Sequence, residues 1–214
     1  MHLSVLPPSF IFAQSLPAPI ELQVKILGSI LAVLWGLELI DSIALRGALD
    51  RFGIRPRRLR GLPGILIAPV LHGNLGHLAA NTGPLVVLGW FILWQGTDNF
   101  VIVTIVSALI SGLGVWLLGG PRTNHLGASG VVFGYFGFLL WQGYFERSPA
   151  AIALAALTGI LYSSLIWGIL PIQRGKSWQG HLFGFIGGGV AARFLPLLQE
   201  HFEQWLSRSR GIFY

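Results

Sequence analysis

Residues 99–118 read Asn99-Phe-Val-Ile-Val-Thr-Ile-Val-Ser-Ala-Leu-Ile-Ser-Gly-Leu-Gly-Val-Trp-Leu-Leu118, twenty positions without one charge. At about 1.5 Å of rise per residue, a helix of this length spans roughly the 30 Å hydrocarbon core of a bilayer. A strand pairing in an open sheet would leave backbone groups unsatisfied in lipid, and the period-two alternation of a barrel strand is missing. The stretch is therefore predicted to be a membrane-spanning helix.

Working outward, comparable apolar segments occur at about 26–46 and 76–95 before it, and at 127–145, 149–170 and 178–198 after it. Short polar hinges such as Gln95-Gly96-Thr97-Asp98 and Glu146-Arg147-Ser148-Pro149 force antiparallel neighbours. The composition agrees: 53% of the 214 residues are hydrophobic and 10% charged, against roughly 25% charged in a soluble domain. The expected fold is all-α: a polytopic membrane domain over 26–198 with six transmembrane helices, an interfacial tail at 1–25 and a C-terminal tail at 199–214. The absence of cysteine rules out disulfides, zinc–thiolate sites and cysteine nucleophiles. The net charge of +6 resides in segments between spans, which reads as loop charge at a bilayer surface rather than a nucleic-acid footprint.

The connection from Arg46 to Asn74 differs from the others. It carries Arg51, Arg55, Arg57, Arg58 and Arg60, then an apolar piece from Leu62 to Leu71 that contains Pro63, Gly64 and Pro69. That piece is too short to span, so a partly submerged loop packed on the helices is expected.

Helices two, four and six begin on the same side of the membrane, here side B. Near those beginnings stand His77 and Asn81, Ser129, and His181. Ser129 lies in Gly127-Ala-Ser-Gly130, a pattern that also suits a small-residue helix contact. His181 opens a glycine-rich run from Gly180 to Gly189; a histidine in a span faces a cavity or a polar partner. Gly130 and Gly134, with Gly180, Gly184 and Gly188, allow close backbone approach, which would bring the serine to the imidazole. A serine hydroxyl needs a hydrogen-bonded base to become a nucleophile. The carboxylates nearest in topology, Glu38 and Asp41, lie on helix one, so a dyad is expected rather than a triad.

Phe133, one turn after Ser129, either packs on the imidazole or faces core or lipid. His77 and Asn81, four apart, share a helix face and suit either oxyanion stabilisation or an interhelical hydrogen bond. His72 is assigned to organising the loop. Two other classes compete. His72, His77, His125 and His181 lack the carboxylate or H-E-x-x-H helix of zinc hydrolases, so no metal is expected. An ion-coupled transporter using Glu38 and Asp41 leaves the serine, histidine and asparagine unused.

Taken in order, His72-Gly-Asn-Leu-Gly-His77-Leu-Ala-Ala-Asn81, Gly127-Ala-Ser129-Gly130-Val-Val-Phe133 and Gly180-His181 resemble the rhomboid family of intramembrane serine proteases over about residues 26–198. The resemblance implies a Ser129–His181 dyad and an oxyanion site from His77, Asn81 and the Ser129 backbone N–H. It further implies support of the histidine by Phe133, Gly127 beside the substrate, and a membrane-embedded first loop. It implies single-span membrane proteins as substrates in a lipid bilayer, no cofactor and no nucleic acid, and leaves the oligomeric state open. The Trp-Arg pair that some rhomboids carry in that loop is missing. The competing expectation within the fold is a non-catalytic chaperone or adaptor.

Orientation is contested. Parity assigns nine basic residues to side B (Arg46, Arg51, Arg55, Arg57, Arg58, Arg60, Arg122, Arg174 and Lys176) and five to side A. The positive-inside rule would then put side B in the cytoplasm. The resemblance implies the plasma (inner) membrane with the site opening outward, and that orientation is adopted because most of these charges belong to one long loop.

Overall fold

The computed structural model describes residues 19–172 and 177–211. In chain order its helices are α1 (Ile20–Ile40), α2 (Gly64–Ile67), α3 (Leu75–Leu93), α4 (Thr97–Leu118), α5 (Ser129–Glu146), α6 (Pro149–Tyr162), α7 (Ile166–Ile169) and α8 (Trp178–Gly211). Five stretches are long and apolar enough to cross a membrane: Ile20–Leu45, Leu75–Leu93, Thr97–Leu118, Pro149–Ile169 and Trp178–Ser209. The helix α5 is not among them. It carries Gly130, Gly134, Gly137, Gly143, Gln142 and Tyr135, and most of its residues are buried, because other helices rather than lipid surround it.

Glycine sets the spacing at the centre. A Cβ at Gly184 would overlap the carbonyl of Gly130, and one at Gly188 the carbonyl of Gly134, so α5 and α8 touch backbone to backbone. On its other side Gly130 meets Ser111 and Gly134 meets Ser107, both on α4. Ser111 Oγ donates to the Gly180 carbonyl at 2.8 Å, joining α4 to α8. Around this triple contact Leu78, Leu88 and Ile92 of α3 pack with Val103, Phe136, Phe138 and Leu139, all fully buried.

Several helix ends depart from expectation. The first helix starts at Ile20, within the stretch read as a tail; residues 1–18 of that stretch lie outside the described residues. The fifth apolar segment is broken: helix stops at Tyr162, a 3-10 turn follows over Ser163–Leu165, and α7 resumes at Ile166. The last helix continues past 198 to Gly211, with non-helical geometry at Phe194, two residues before Pro196, where the missing N–H and the ring disrupt the hydrogen-bond ladder. Hydropathy ends where Glu200 and His201 begin, but a helix continues wherever its apolar face still packs, as Leu198 and Phe202 do against the core.

The connection 46–74 folds into short turns, Ala48–Phe52, Leu59–Gly61, α2 and Ala68–Val70. It rests on the end of α4 that leads to α5. Ile65 fills the space beside Gly112, and Ile54 and Ala68 pack with Val115. Ile54 also exchanges backbone hydrogen bonds with His125 at 2.9 and 3.0 Å.

Candidate active site

Ser129 is the first residue of α5. First-turn N–H groups have no acceptor within their own helix, and the helix dipole puts partial positive charge at this end. The turn into α5 depends on Gly127, whose φ of +112° disfavours other residues and whose missing side chain makes room for the His77 ring: a Cβ would lie 2.6 Å from its Cε1. The turn is pinned by Gly127 N–H donating to the Ala68 carbonyl at 2.9 Å and Ala128 N–H donating to His72 Nε2 at 3.3 Å.

His181, buried on the first turns of α8, has both ring nitrogens engaged. Nδ1 lies 2.9 Å from the Gly168 carbonyl and Nε2 lies 3.1 Å from Ser129 Oγ. A carbonyl oxygen only accepts, so Nδ1 carries the proton and the Nε2 lone pair faces the serine hydroxyl. That is the tautomer a general base requires. The Phe133 ring stacks on the imidazole at 4.0 Å and 6°. Of the alternatives left open for Phe133, the structure selects packing on the histidine. Gly168 is small for a reason: a Cβ there would lie 2.6 Å from Phe133 Cζ and 3.3 Å from His181 Nδ1.

On α3, Asn74 caps the helix by accepting from His77 N–H at 2.8 Å. Asn81 is buried one turn further on, and its Nδ2 has no hydrogen-bond partner among the described residues. An unsatisfied buried amide is uncommon and asks for an explanation. His72 is buried edge-on to His77, ring centroids 5.2 Å apart. Burial, then the neighbouring His77 charge, pushes the His72 pKa down to about 4, so near pH 7 it is neutral and able to accept from Ala128.

His77 and Ser129 thus meet through Gly127, and Ser129 and His181 meet directly. Glu38 and Asp41 do not join them. Glu38 accepts from Ser42 at 2.9 Å and Asp41 from the Leu49 N–H at 2.9 Å. His125 is engaged elsewhere: Nε2 lies 2.7 Å from Thr123 Oγ1 and Nδ1 2.7 Å from Ser177 Oγ. Because Thr123 donates to the Gly120 carbonyl, it accepts from Nε2–H, and Ser177 donates to Nδ1. Burial lowers the His125 pKa and favours this neutral form. Sequence reading missed the Gly168 carbonyl and the His125–Ser177 tie. No spacing signals the first; only the need of an Nδ1–H for an acceptor points to some partner.

The sequence pattern of the Rhomboid domain matches residues 60–197. The chain belongs to the rhomboid family. With the apolar helices above, this makes it an integral, multi-pass membrane protein. Among rhomboid relatives, the "Rhomboid protease GlpG" of Yersinia enterocolitica is 33% identical over 102 residues, covering 45% of this chain and 34% of the relative. The "Putative rhomboid protease YdcA" of Bacillus subtilis is 30% identical over 132 residues, covering 58% and 62%. A Mycobacterium tuberculosis protein described as uncharacterized is 42% identical over 173 residues, covering 77% of this chain and 71% of the relative.

Proposed function

We propose that this rhomboid is a serine endopeptidase that cleaves the transmembrane segments of single-span membrane proteins. The observation that carries the reading is the pair of hydrogen bonds at His181: Nδ1–H to Gly168 and the Nε2 lone pair toward Ser129 Oγ. Ser129 attacks the scissile carbonyl carbon as His181 Nε2 takes the hydroxyl proton. The resulting oxyanion receives hydrogen bonds from Asn81 Nδ2, the Ser129 backbone N–H and the His77 ring, at the positive end of α5. His181 then protonates the departing amine, leaving an acyl-enzyme. A water, deprotonated by Nε2, attacks the ester, and return of the proton to Ser129 Oγ releases the new carboxyl end. No cofactor enters.

The backbone carbonyl of Gly168 takes the orienting position that a triad gives to a carboxylate, and Phe133 holds the ring plane. Asn81 is understood on this reading as a donor kept without a partner until the oxyanion forms. Gly127 lies beside the substrate, and His72 shapes the turn that presents Ser129. In the bilayer α5 is a sixth crossing, shielded by its neighbours. The 46–74 connection is partly embedded, and the site opens to the outer face of the plasma (inner) membrane. Substrate segments rich in helix-weakening Gly or Pro are favoured, because an intact helix keeps its carbonyls hydrogen-bonded.

A fluorophosphonate probe separates this reading from a non-catalytic adaptor of the same fold. Wild type should label at Ser129, and Ser129→Ala and His181→Ala should not. An unlabelled, folded wild type would favour the adaptor.

A further inference from the structure

A second concave site lies on the same side of the molecule as Ser129 but outside the catalytic constellation. Arg55, Pro56 and Arg58 of the first connection and Arg122, Thr123 and Asn124 of the α4–α5 turn line an open surface concavity of about 240 Å³. Three arginines are among its lining residues and no acidic residue is. Among the described residues the ion pair formed is Lys25–Glu21, on α1, and none of the three arginines has an acidic partner among them. Cations gathered without a counter-ion repel one another, and a bound anion relieves that repulsion.

The framework around the concavity is built. Arg57, between two of the lining residues, donates from one guanidinium nitrogen to the carbonyls of Leu117 and Gly119, each at 3.0 Å. It thereby caps the C-terminus of α4 with positive charge, where the dipole favours it. Trp116 Nε1–H donates to the Arg58 carbonyl at 3.0 Å. Asn124 Nδ2 donates to the Asp50 carbonyl at 2.6 Å. The φ values of Arg57 (55°) and Arg122 (64°) are left-handed, a conformation that these tethers stabilise against its ordinary steric cost.

Depth identifies the ligand. The concavity adjoins the last turn of α4, an apolar helix with an indole at its end, and tryptophan with its N–H on a polar partner marks the headgroup level of a bilayer. Phosphate is the anion held at that level, and guanidinium forks match its oxygens in pairs. We propose that Arg55, Arg58 and Arg122 form a phosphate-binding site that holds the headgroup of an anionic phospholipid. These arginines supply three of the nine side-B charges that conflict with an outward-opening site. On this proposal they are retained for lipid phosphate and do not report orientation.

The test uses the full chain in nanodiscs containing phosphatidylcholine with a minor fraction of phosphatidylglycerol, and native mass spectrometry of the protein with its retained lipids. Wild type should hold one phosphatidylglycerol in preference to phosphatidylcholine. The variant Arg55→Gln/Arg58→Gln/Arg122→Gln should bind it on the order of 100-fold more weakly, since each basic group at the surface contributes about fivefold. Arg46→Gln/Arg51→Gln/Arg60→Gln removes equal charge from the same loop but none from the concavity, and should weaken lipid binding much less. A conservative Lys triple should bind more weakly than wild type, because ammonium groups lack the fork. Equal retention by the two Gln variants overturns the site and leaves only diffuse charge. A parallel arm adds inorganic phosphate to protein in neutral detergent. Stabilisation of wild type by phosphate, with no preferential retention of phosphatidylglycerol in the nanodiscs, would assign the site to free phosphate and overturn the lipid assignment. Unfolding midpoints of all variants in neutral detergent guard against misfolding; should the Gln triple be unfolded, the Lys triple and the single Arg122→Gln variant decide.

Discussion

Replacing Gly168 by alanine tests how the base is held. The new Cβ would sit 2.6 Å from Phe133 Cζ and 3.3 Å from His181 Nδ1, whereas carbon atoms rest at about 3.5–4.0 Å. The two groups must therefore separate by about 1 Å. Either Phe133 slides from its stacked position on the imidazole, or the 168 carbonyl retreats from its 2.9 Å contact with Nδ1, which a shift of about 1 Å breaks. Both loosen the imidazole that faces Ser129, and a misplacement of about 1 Å reduces turnover by about 10²-fold. Gly168 meets the ring at Nδ1, the nitrogen turned away from Ser129, so kcat should fall with KM little changed. The assay is cleavage of a fluorogenic transmembrane reporter in detergent, paired with the rate of fluorophosphonate labelling and an unfolding midpoint. Phe133→Leu removes the atom that clashes. It should lower activity by itself, yet Gly168→Ala added to it should cost much less than in wild type. Full kcat in a folded Gly168→Ala protein, or the same loss in both backgrounds, would refute the proposed support of His181.

Asn81→Ala should lower kcat on the order of 10²–10³-fold without lowering the unfolding midpoint, because Nδ2 has no partner in the resting protein; a lowered midpoint with retained activity would make Asn81 a packing residue. The His72 pKa of about 4 lies below the usual histidine value, so the unfolded chain binds the proton more readily between about pH 6.5 and pH 4. Stability should therefore fall as pH drops through that window, and His72→Gln should flatten the slope in a pH series of unfolding midpoints; an unchanged slope would contradict it. Single cysteines at Pro121 and Ala150, both exposed, report orientation. An impermeant maleimide on intact cells should label 121 and spare 150, and the reverse would put the site in the cytoplasm.

Much of the site was legible because membrane helices alternate direction. Parity alone put Ser129, His181 and the His77–Asn81 face at one level, and the contact of Ser129 with His181 follows from glycines that let α5 and α8 touch. The Phe133 stack was one of two open readings, and only the folded arrangement of α5 and α8 chooses between them. The partner of Nδ1 was hidden because it is a backbone carbonyl. Its position depends on the break at Tyr162–Leu165, and hydropathy, which averages over a span, registers no break within apolar residues. α5 was read as one more apolar span, yet its glycines and Gln142 record that it faces protein. Helix α1 begins before, and α8 ends after, the apolar stretch read for it, because apolarity stops at the bilayer surface while helical hydrogen bonding continues through it.

The central claim is met most directly by purified protein mixed with a single-span transmembrane reporter in detergent, with the products identified by mass spectrometry. Wild type should produce one cut within or at the edge of the apolar segment, and Ser129→Ala, matched for folding and concentration, should produce none. Cleavage surviving at the same bond in Ser129→Ala would contradict the serine mechanism.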